Sequence, residues 1–536
     1  MSSSQISPAV DTPTVTEWNI RASDYIEKVD IGGGEFLVWN RYLPIPILLN
    51  QDALDLLMTG DVEDLSDEER AYCQKLFLSK HLAYEGDVDP SLRAFERKIG
   101  AFADELEGRD ESTIEPDKQF YEALSFSNDP CNVGCTYCMI PKFEDGANDL
   151  VQLGKKPPPK RAGVSKEDKL AALKKVLDQH LQSRIRAGEK SAFLTMSGGE
   201  VLAQWTVVKG LIEYSFEAYP ELEISWYMNS SLTILNEEQA DFFREYNVGI
   251  NTSIDGYKEN HDKYRTYHNG KGTFDDVMAG IKLFNERNPE HAIIGFQGTI
   301  ADPDEFDANK MFDFVSDNFD AARLAPNLLG VSEEVGEKQA DLMMDLYLAG
   351  KQIGFQFDDT VFGHFLKILR AKGEAKFDLY CKAMSNREQL AHVTVNMSTL
   401  NASRSCSFVP GANVPLDEVG YDLFDQALWD QNLEFSNDRI EAVKKHCSGC
   451  EIAGACGGSC VLSGLDANNQ LNPGGCAYLK RLWKRMVAEA LGREGRIPSR
   501  TAHKIDVNKM HVSLSEKRAR DAEAGKTEPV QYNASR

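Results

Sequence analysis

An α/β fold with parallel strands and crossover helices is predicted for the middle of this chain, on three observations. From about Phe120 to Leu328 short apolar runs alternate with helical periods, the first run leads at once into a loop crowded with cysteines, and the rhythm stops shortly before a second cysteine group. Strands joined by helices pack in parallel, and barrels built this way carry their chemistry on loops at the C-terminal ends of the strands.

Six strands are predicted, near Phe120–Leu124, Ala192–Met196, Ile224–Met228, Val248–Thr252, Ile293–Gln297 and Ala322–Ala325. Helical periods over Lys166–Arg186, Trp205–Phe216, Glu237–Arg244, Phe274–Asn285 and Asn309–Asn318 separate them. Ahead of this region, Gly34–Asn50 reads as two β-rich runs joined near Asn40 and Arg41. A helix follows over Gln51–Met58, then a second one capped by Ser66. With Leu76–Tyr84 these make a strand-strand-helix-helix unit of winged-helix size. Residues 1–25 are polar and expected to be mobile. Beyond Leu328, helices are expected over Glu337–Ala349, Val361–Ala371 and Tyr478–Leu491, and the tail from Arg493 to Arg536 lacks an apolar period, so disorder is expected there.

The chain, at 536 residues, is long enough for about two to four domains. A formal net charge of −25 argues against nucleic acid or an anionic membrane as the main partner. The N-terminus lacks a basic start and an apolar run, and no stretch is apolar enough to span a bilayer, so a soluble cytoplasmic protein is expected. Ten of the 11 cysteines fall in Cys131–Cys138 or Cys381–Cys476, a grouping that in a reducing compartment favours metal over disulfides. Cys73 stands apart and reads as a half-buried thiol on a helix.

Cys131, Cys135 and Cys138 are spaced C-x3-C-x2-C among turn formers, with Tyr137 before the last thiol. Three such thiolates can hold three irons of a four-iron cluster and leave the fourth open to a small molecule. The spacing alone also allows a structural zinc site or reduced thiols. The stretch resembles the signature of the radical S-adenosylmethionine (SAM) enzymes, whose fold is a partial (β/α)6 barrel. Ser197-Gly-Gly-Glu200 after the second predicted strand resembles the family's Gly-Gly-Glu motif, which binds the SAM amino group. Ser253-Ile-Asp-Gly256 with His261, Asp262 and Arg265 resembles its Ser-x-Asp-Gly run, in which the serine lies near the ribose and the arginine pairs with the SAM carboxylate. The resemblance implies SAM contacts from Tyr137, Ser197, Gly198, Gly199, Glu200, Asn229, Ser253, Asp255 and Arg265.

The second group, Cys447, Cys450, Cys456 and Cys460, is spaced C-x2-C-x5-C-x3-C, with Cys381 and Cys406 before and Cys476 beyond. This resembles the SPASM extension of radical SAM enzymes that modify peptides. The resemblance implies one auxiliary [4Fe-4S] cluster on Cys447, Cys450, Cys456 and Cys476, and another on Cys460, Cys381 and Cys406 with its fourth ligand unassigned. Gly454, Gly457 and Gly458 are expected to let the chain bend around sulfur. A zinc ribbon fits an odd set of seven thiols poorly. Asn401 stands where many members carry a glycine, and Cys406 is followed by Ser407 where formylglycine-forming sulfatase activators carry aspartate.

The implied domains are a winged-helix-like, precursor-recognition-type unit over 26–115, a radical SAM partial barrel over 116–330, and a SPASM and linker region over 331–492. The implied activity is hydrogen abstraction from a ribosomally made precursor peptide by a 5′-deoxyadenosyl radical, closing a carbon–carbon, thioether or ether cross-link. The implied cofactors are SAM and three [4Fe-4S] clusters, and the implied partners are the peptide and an electron donor such as a flavodoxin or ferredoxin. The general base is unassigned. Formylglycine formation or quinone-cofactor maturation are the alternatives within the class. A non-catalytic iron-sulfur carrier or peptide-binding scaffold is the alternative outside it.

Overall fold

Alternation along each strand decides the architecture. In Ser191–Gly198, Ala192, Leu194 and Met196 are buried in the main core, while Phe193, Thr195 and Ser197 fall on the other face and stay partly or fully exposed. The computed structural model describes residues 20–60, 65–68, 83–85, 88–107, 120–138, 164–353, 356–358, 360–370, 390–404, 414–460, 463–466, 469–492 and 505–524.

The N-terminal unit comprises β1 (Ile20–Ala22), β2 (Ile26–Asp30), β3 (Glu35–Asn40), β4 (Leu43–Asn50) and β5 (Ala83–Glu85). β2, β3 and β4 form an antiparallel sheet, and β1 pairs with β5. A helix over Gln51–Thr59 follows, with the Asn50 side chain accepting from Ala53 N at 2.8 Å and Gly60 closing it in the left-handed conformation. Two expectations are corrected here. Residues 20–22, placed in a mobile terminus, are a strand. β2 escapes the sequence altogether, because Ile26-Glu-Lys-Val-Asp30 offers only two apolar residues and gains its stability from pairing with β3. Cys73, most of the second helix after Ser66 and all but Ala83 and Tyr84 of the Leu76–Tyr84 run lie outside the described residues.

The central sheet holds β6 (Tyr121–Asn128), β7 (Ser191–Gly198), β8 (Glu223–Ser230), β9 (Gly249–Ser253), β10 (Gly295–Ile300), β11 (Ala321–Pro326), β12 (Gln356–Asp358), β13 (Leu390–Asn396), β14 (Asn401–Ser403) and β15 (Val414–Pro415). β6 to β11 lie side by side in sequence order, all parallel, which matches the six predicted strands. β12 adds a further parallel strand beyond β11, and β13 lies parallel on the outer side of β6, so the strand rhythm continues past Leu328 after all. Neither is legible from periodicity: Gln356–Asp358 is too short to show a period, and Leu390–Asn396 stands far from the barrel rhythm, beyond the long helix Glu333–Ile353.

The helices predicted between the strands form at those places, and several are closed by side-chain caps. Ser165 caps Lys166–Arg186 through Asp168 N, and Asn236 with Gln239 makes a capping box at Glu237–Glu245. The long helix Glu333–Ile353 packs along Pro473–Ala490, where Arg481 and Arg485 both reach the fully buried Asp341 at 2.8 and 2.9 Å. The tail is also corrected: Val507–Glu523 is a helix lying against Ala308–Asn318. Its buried Lys517 donates to Phe319 O and pairs with Asp320, a polar anchor that an apolar period does not reveal.

His180, on the helix over Lys166–Arg186, is fully buried, and neither ring nitrogen has a partner. Burial, with positive Arg184 and His392 nearby, pushes it down to about 3. Its neutral form is therefore favoured in the folded state. As pH falls below about 6.5 the unfolded chain takes up a proton that the folded chain refuses, so stability is lost. This site alone accounts for about 2 kcal/mol between pH 6.5 and 5. His180→Leu is expected to remove that slope and to raise stability at pH 5, read by urea unfolding at both pH values. An unchanged slope rules the account out.

Candidate functional site

β6 ends at Asn128, and the cysteine loop starts there. Asn128, almost fully buried, donates from Nδ2 to Glu200 O at 2.7 Å and Pro130 O at 3.1 Å, so one side chain ties the cysteine loop to the loop after β7. Backbone bonds repeat the link, from Gly199 N to Asn128 O at 2.5 Å and from Glu200 N to Pro130 O at 2.8 Å. The approach is too close for a side chain: a Cβ at Gly198 would lie 2.3 Å from Asn128 O, and one at Gly199 2.3 Å from Pro130 O. Gly198 also has φ +115°, a backbone that L side chains rarely adopt.

On its other side the cysteine loop is pinned to the segment after the helix Lys258–Tyr264. Gly134 N donates to Thr266 O at 2.6 Å, Thr136 N to Tyr264 O at 2.9 Å, and His268 Nε2 meets Cys131 O at 3.0 Å. Cys131 is half-buried, Cys135 buried and Cys138 exposed. Burial, reinforced by the negative charge of Glu200, Cys135 and Cys138, pushes the Cys131 thiol up to about 12, while the Val133 N–H, 3.4 Å from its sulfur, acts the other way. The three thiols thus share one electrostatic environment, open at Cys138.

Asp255 is the hub of the opposite wall. Its fully buried carboxylate accepts from Arg265 Nη2 at 3.0 Å, Arg265 Nε at 3.3 Å, Thr299 N at 3.0 Å and the Tyr137 hydroxyl. Asp255 N in turn donates to His261 Nδ1 at 3.1 Å. His261 Nε2 meets Thr273 Oγ1 at 2.9 Å, and that hydroxyl donates to Arg265 O at 2.8 Å. Burial would raise the Asp255 pKa, but the Arg265 charge outweighs it and holds the carboxyl below its usual range. Burial lowers His261 to about 4, so the ring is neutral and accepts at Nδ1. Asp255 and Arg265, both expected as SAM contacts, are joined to each other in a bidentate pair. A buried carboxylate needs a cation and donors, and Arg265 is the cation that reaches it.

Glu200 behaves similarly. Its buried carboxylate accepts from Ser230 Oγ at 2.7 Å, Leu202 N at 3.1 Å, Ser231 N at 2.9 Å and Ser231 Oγ at 2.5 Å. It caps Val201–Gln204 and braces the end of β8. Ser197, Asn229 and Ser253 end neighbouring strands on the partly open face. Ser197 stands in register with Ser127, Asn229 with Asn251 (Asn251 Nδ2 to Asn229 Oδ1, 2.8 Å), and Ser253 with Gln297. Asn128, Gln204, Ser230, Ser231 and Thr299 bond into this frame although none of them is an expected site residue. A polar residue at a strand end is the one available signal, and only Asn128, Ser230 and Thr299 carry it.

Of the second cysteine group, Cys447, Cys450, Cys456, Cys460 and Cys476 are described, while Cys381 and Cys406 lie outside the described residues. Burial raises Cys447 to about 12 and Cys476 to about 11, and Cys450 and Cys476 add to the rise at Cys447. Burial also raises Cys456, and Cys447, Cys450 and Cys476 add to the rise. These four thiols are electrostatic neighbours. Among the described residues no three His, Cys, Asp or Glu side chains converge as the ligands of one ion would. Gly457, Gly458 and Ser459 are all left-handed, at φ 55°, 80° and 54°, and turn the chain sharply between Cys456 and Cys460. Gly454 is instead inside the short helix Ala453–Cys456. Arg439, 1% exposed, donates to the carbonyls of Gly458, Ser459, Leu465 and Asp466 at 2.7–3.1 Å and knits this turn to the chain at Leu465 and Asp466.

Residues 128–306 match the family model described as the radical SAM superfamily. The chain is 28% identical over 166 residues to a cysteine-type anaerobic sulfatase-maturating enzyme of Clostridium novyi, covering 31% of this chain and 40% of that protein. It is 31% identical over 161 residues to a serine-type enzyme of the same kind from Bacteroides thetaiotaomicron, covering 30% and 35%. The chain thus spans 40% or less of the length of these curated relatives. Among solved structures, native anSMEcpe with bound AdoMet superposes with a TM-score of 0.52 at 18% identity, over 69% of this chain and 98% of that one, a likeness of fold.

Proposed function

Residues 128–306 of this chain are a radical SAM domain, and from that premise we propose that the protein is a maturase that removes hydrogen from a ribosomally made peptide and closes an oxidative cross-link. The second cysteine group carries this reading: beyond the barrel, Cys447, Cys450, Cys456 and Cys476 cluster closely enough to perturb one another. That donor set, all sulfur, with Cys447 buried and the other three partly buried, suits iron-sulfur ligation.

The loop of Cys131, Cys135 and Cys138 also fits its cluster, with three thiols in one environment and an N–H aimed at a sulfur. When bound there, a [4Fe-4S] cluster with SAM supplies reductive sulfonium cleavage and a carbon radical able to take hydrogen from an unactivated carbon. The chain's own residues supply position. Asn128 and the glycines of Ser197-Gly-Gly-Glu200 set the cysteine loop against the strand ends, and the Asp255–Arg265 pair holds Tyr137 of that loop. Ser197, Asn229 and Ser253 present hydroxyl and amide groups to whatever lies on the open face. Cys460 would join Cys381 and Cys406 at a further cluster, and an external flavodoxin- or ferredoxin-type donor would deliver electrons.

The N-terminal unit supports a peptide partner. β4 carries Pro44 and Pro46, which strip donors from that edge, whereas β2 has no partner on its outer side among the described residues. A leader segment added to β2 as another strand fits this edge.

Formylglycine formation is the second reading, favoured by the identity to sulfatase-maturating enzymes and opposed by Ser407 after Cys406. The test is anaerobic reconstitution with SAM, a reductant and the short peptide encoded alongside. The expected product has lost two hydrogens, carries an internal bridge and does not react with aldehyde reagents. An aldehyde without a bridge selects the second reading, and an unaltered peptide rejects both.

A further inference from the structure

The turn between β3 and β4 reaches across more than 400 residues of sequence to hold the loop that carries Cys447, Cys450 and Cys456. Three side chains in and beside that turn donate to carbonyls spread along the loop. The Tyr42 hydroxyl donates to Ser448 O, Arg41 Nη1 to Gly449 O at 3.4 Å, and Trp39 Nε1 to Glu451 O at 2.9 Å. The loop answers with Gly454 N, which donates to Arg41 O at 2.8 Å. These carbonyls would otherwise be free to turn to water, because the loop's internal bonds use others: Cys450 N to Cys447 O at 3.0 Å and Ala453 N to Cys450 O at 3.1 Å.

Packing runs along the same seam. Tyr42, Phe95 and Ile99 from the N-terminal side form one core with Ile440, Val443, Cys447 and Ala453, and Cys450 and Cys460 lie at its edge. Trp39 and Tyr42 are 1% and 3% exposed. The smallness of Gly454 is explained here: a Cβ would lie 2.3 Å from Tyr42 O and 2.5 Å from Tyr42 C, both backbone atoms that cannot swing aside.

We propose that the β3–β4 turn is a positioning element of the auxiliary metal site, so that Trp39, Arg41 and Tyr42 hold the backbone between Cys447 and Cys456 ready for metal. This rests on reading those cysteines as metal ligands. Groups that orient ligands from behind weaken metal affinity when lost, and coupling between two sites is reciprocal. Metal at the cysteines therefore tightens the N-terminal sheet, and the sheet tightens the metal.

The experiment uses the full chain with Cys131, Cys135 and Cys138 all replaced by alanine, so that only iron of the second group is counted. Gly454→Ala wedges the seam apart, and Tyr42→Phe removes one donor while keeping the ring. Both are expected to lose iron and acid-labile sulfide to a chelator at about 10-fold lower chelator concentration than the parent. In the parent, amide exchange over Leu37–Leu48 is expected to slow on metal loading, and in Gly454→Ala that slowing is expected to vanish. With Cys131, Cys135 and Cys138 restored, iron retained at those three reports that each variant folds. If the parent binds no iron, the metal-ligand reading fails and takes the proposal with it. If the parent binds iron and both variants hold it equally, with unchanged exchange, the proposal is overturned while the reading stands.

Discussion

Replacing Cys131, Cys135 and Cys138 together with alanine is expected to bring 5′-deoxyadenosine release down to the level of protein-free controls, while iron and sulfide held further along the chain persist. The loop is fastened on both sides, to Glu200 and Pro130 through Asn128 and to Thr266 and Tyr264 through Gly134 and Thr136. None of those bonds uses a cysteine sulfur, so the variant keeps its local structure and loses only donors. Anaerobic iron and sulfide counts beside a SAM-cleavage assay check it. Undiminished cleavage would refute the assignment of these thiols. Complete loss of iron would show that the second group holds none of its own.

Arg265→Met is expected to cost about 3–5 kcal/mol, because it leaves the Asp255 carboxylate buried without its cation. The loss also depends on pH. In the parent Arg265 outweighs burial and keeps Asp255 below the usual range. In the variant burial is opposed only by the neutral donors, the Tyr137 hydroxyl and the Thr299 N–H, and is expected to lift the folded pKa above the unfolded value of about 3.9. A raised folded pKa means stability that is present below the unfolded pKa and lost as pH rises through the folded one. The variant should therefore be hurt more at pH 8 than at pH 5, and adding Asp255→Asn should return part of the loss at pH 8. Denaturant titrations of the parent, the single and the double variant at both pH values measure this. A penalty that is independent of pH would mean that Arg265 acts by packing alone.

The Arg265–Asp255 pair is a contact that the sequence does not reveal. Ser253-Ile-Asp-Gly256 and Arg265 are legible as a group from the family resemblance, but the partner of Arg265 is not. Spacing reports which residues share a loop, whereas the Arg265–Asp255 pair depends on how a short helix over Lys258–Tyr264 turns the chain back on β9. Likewise the glycines of Ser197-Gly-Gly-Glu200 are expected to allow close approach, and they do, although what approaches in this structure is the backbone of Asn128, Asp129 and Pro130.

By itself the sequence determined the six parallel strands, their helices, and the crowding of thiols at Cys131–Cys138 and Cys447–Cys460, because periodicity and short spacing are local and survive without knowledge of the fold. Only the tertiary structure decided that Glu200 and Asp255 spend their carboxylates on protein donors, that Lys517 anchors a tail helix, and that Trp39 and Tyr42 stand behind a cysteine loop some 400 residues away. The reason is one of physics: a buried polar group must find its partner wherever the packed chain brings one, and sequence distance sets no limit on where that is.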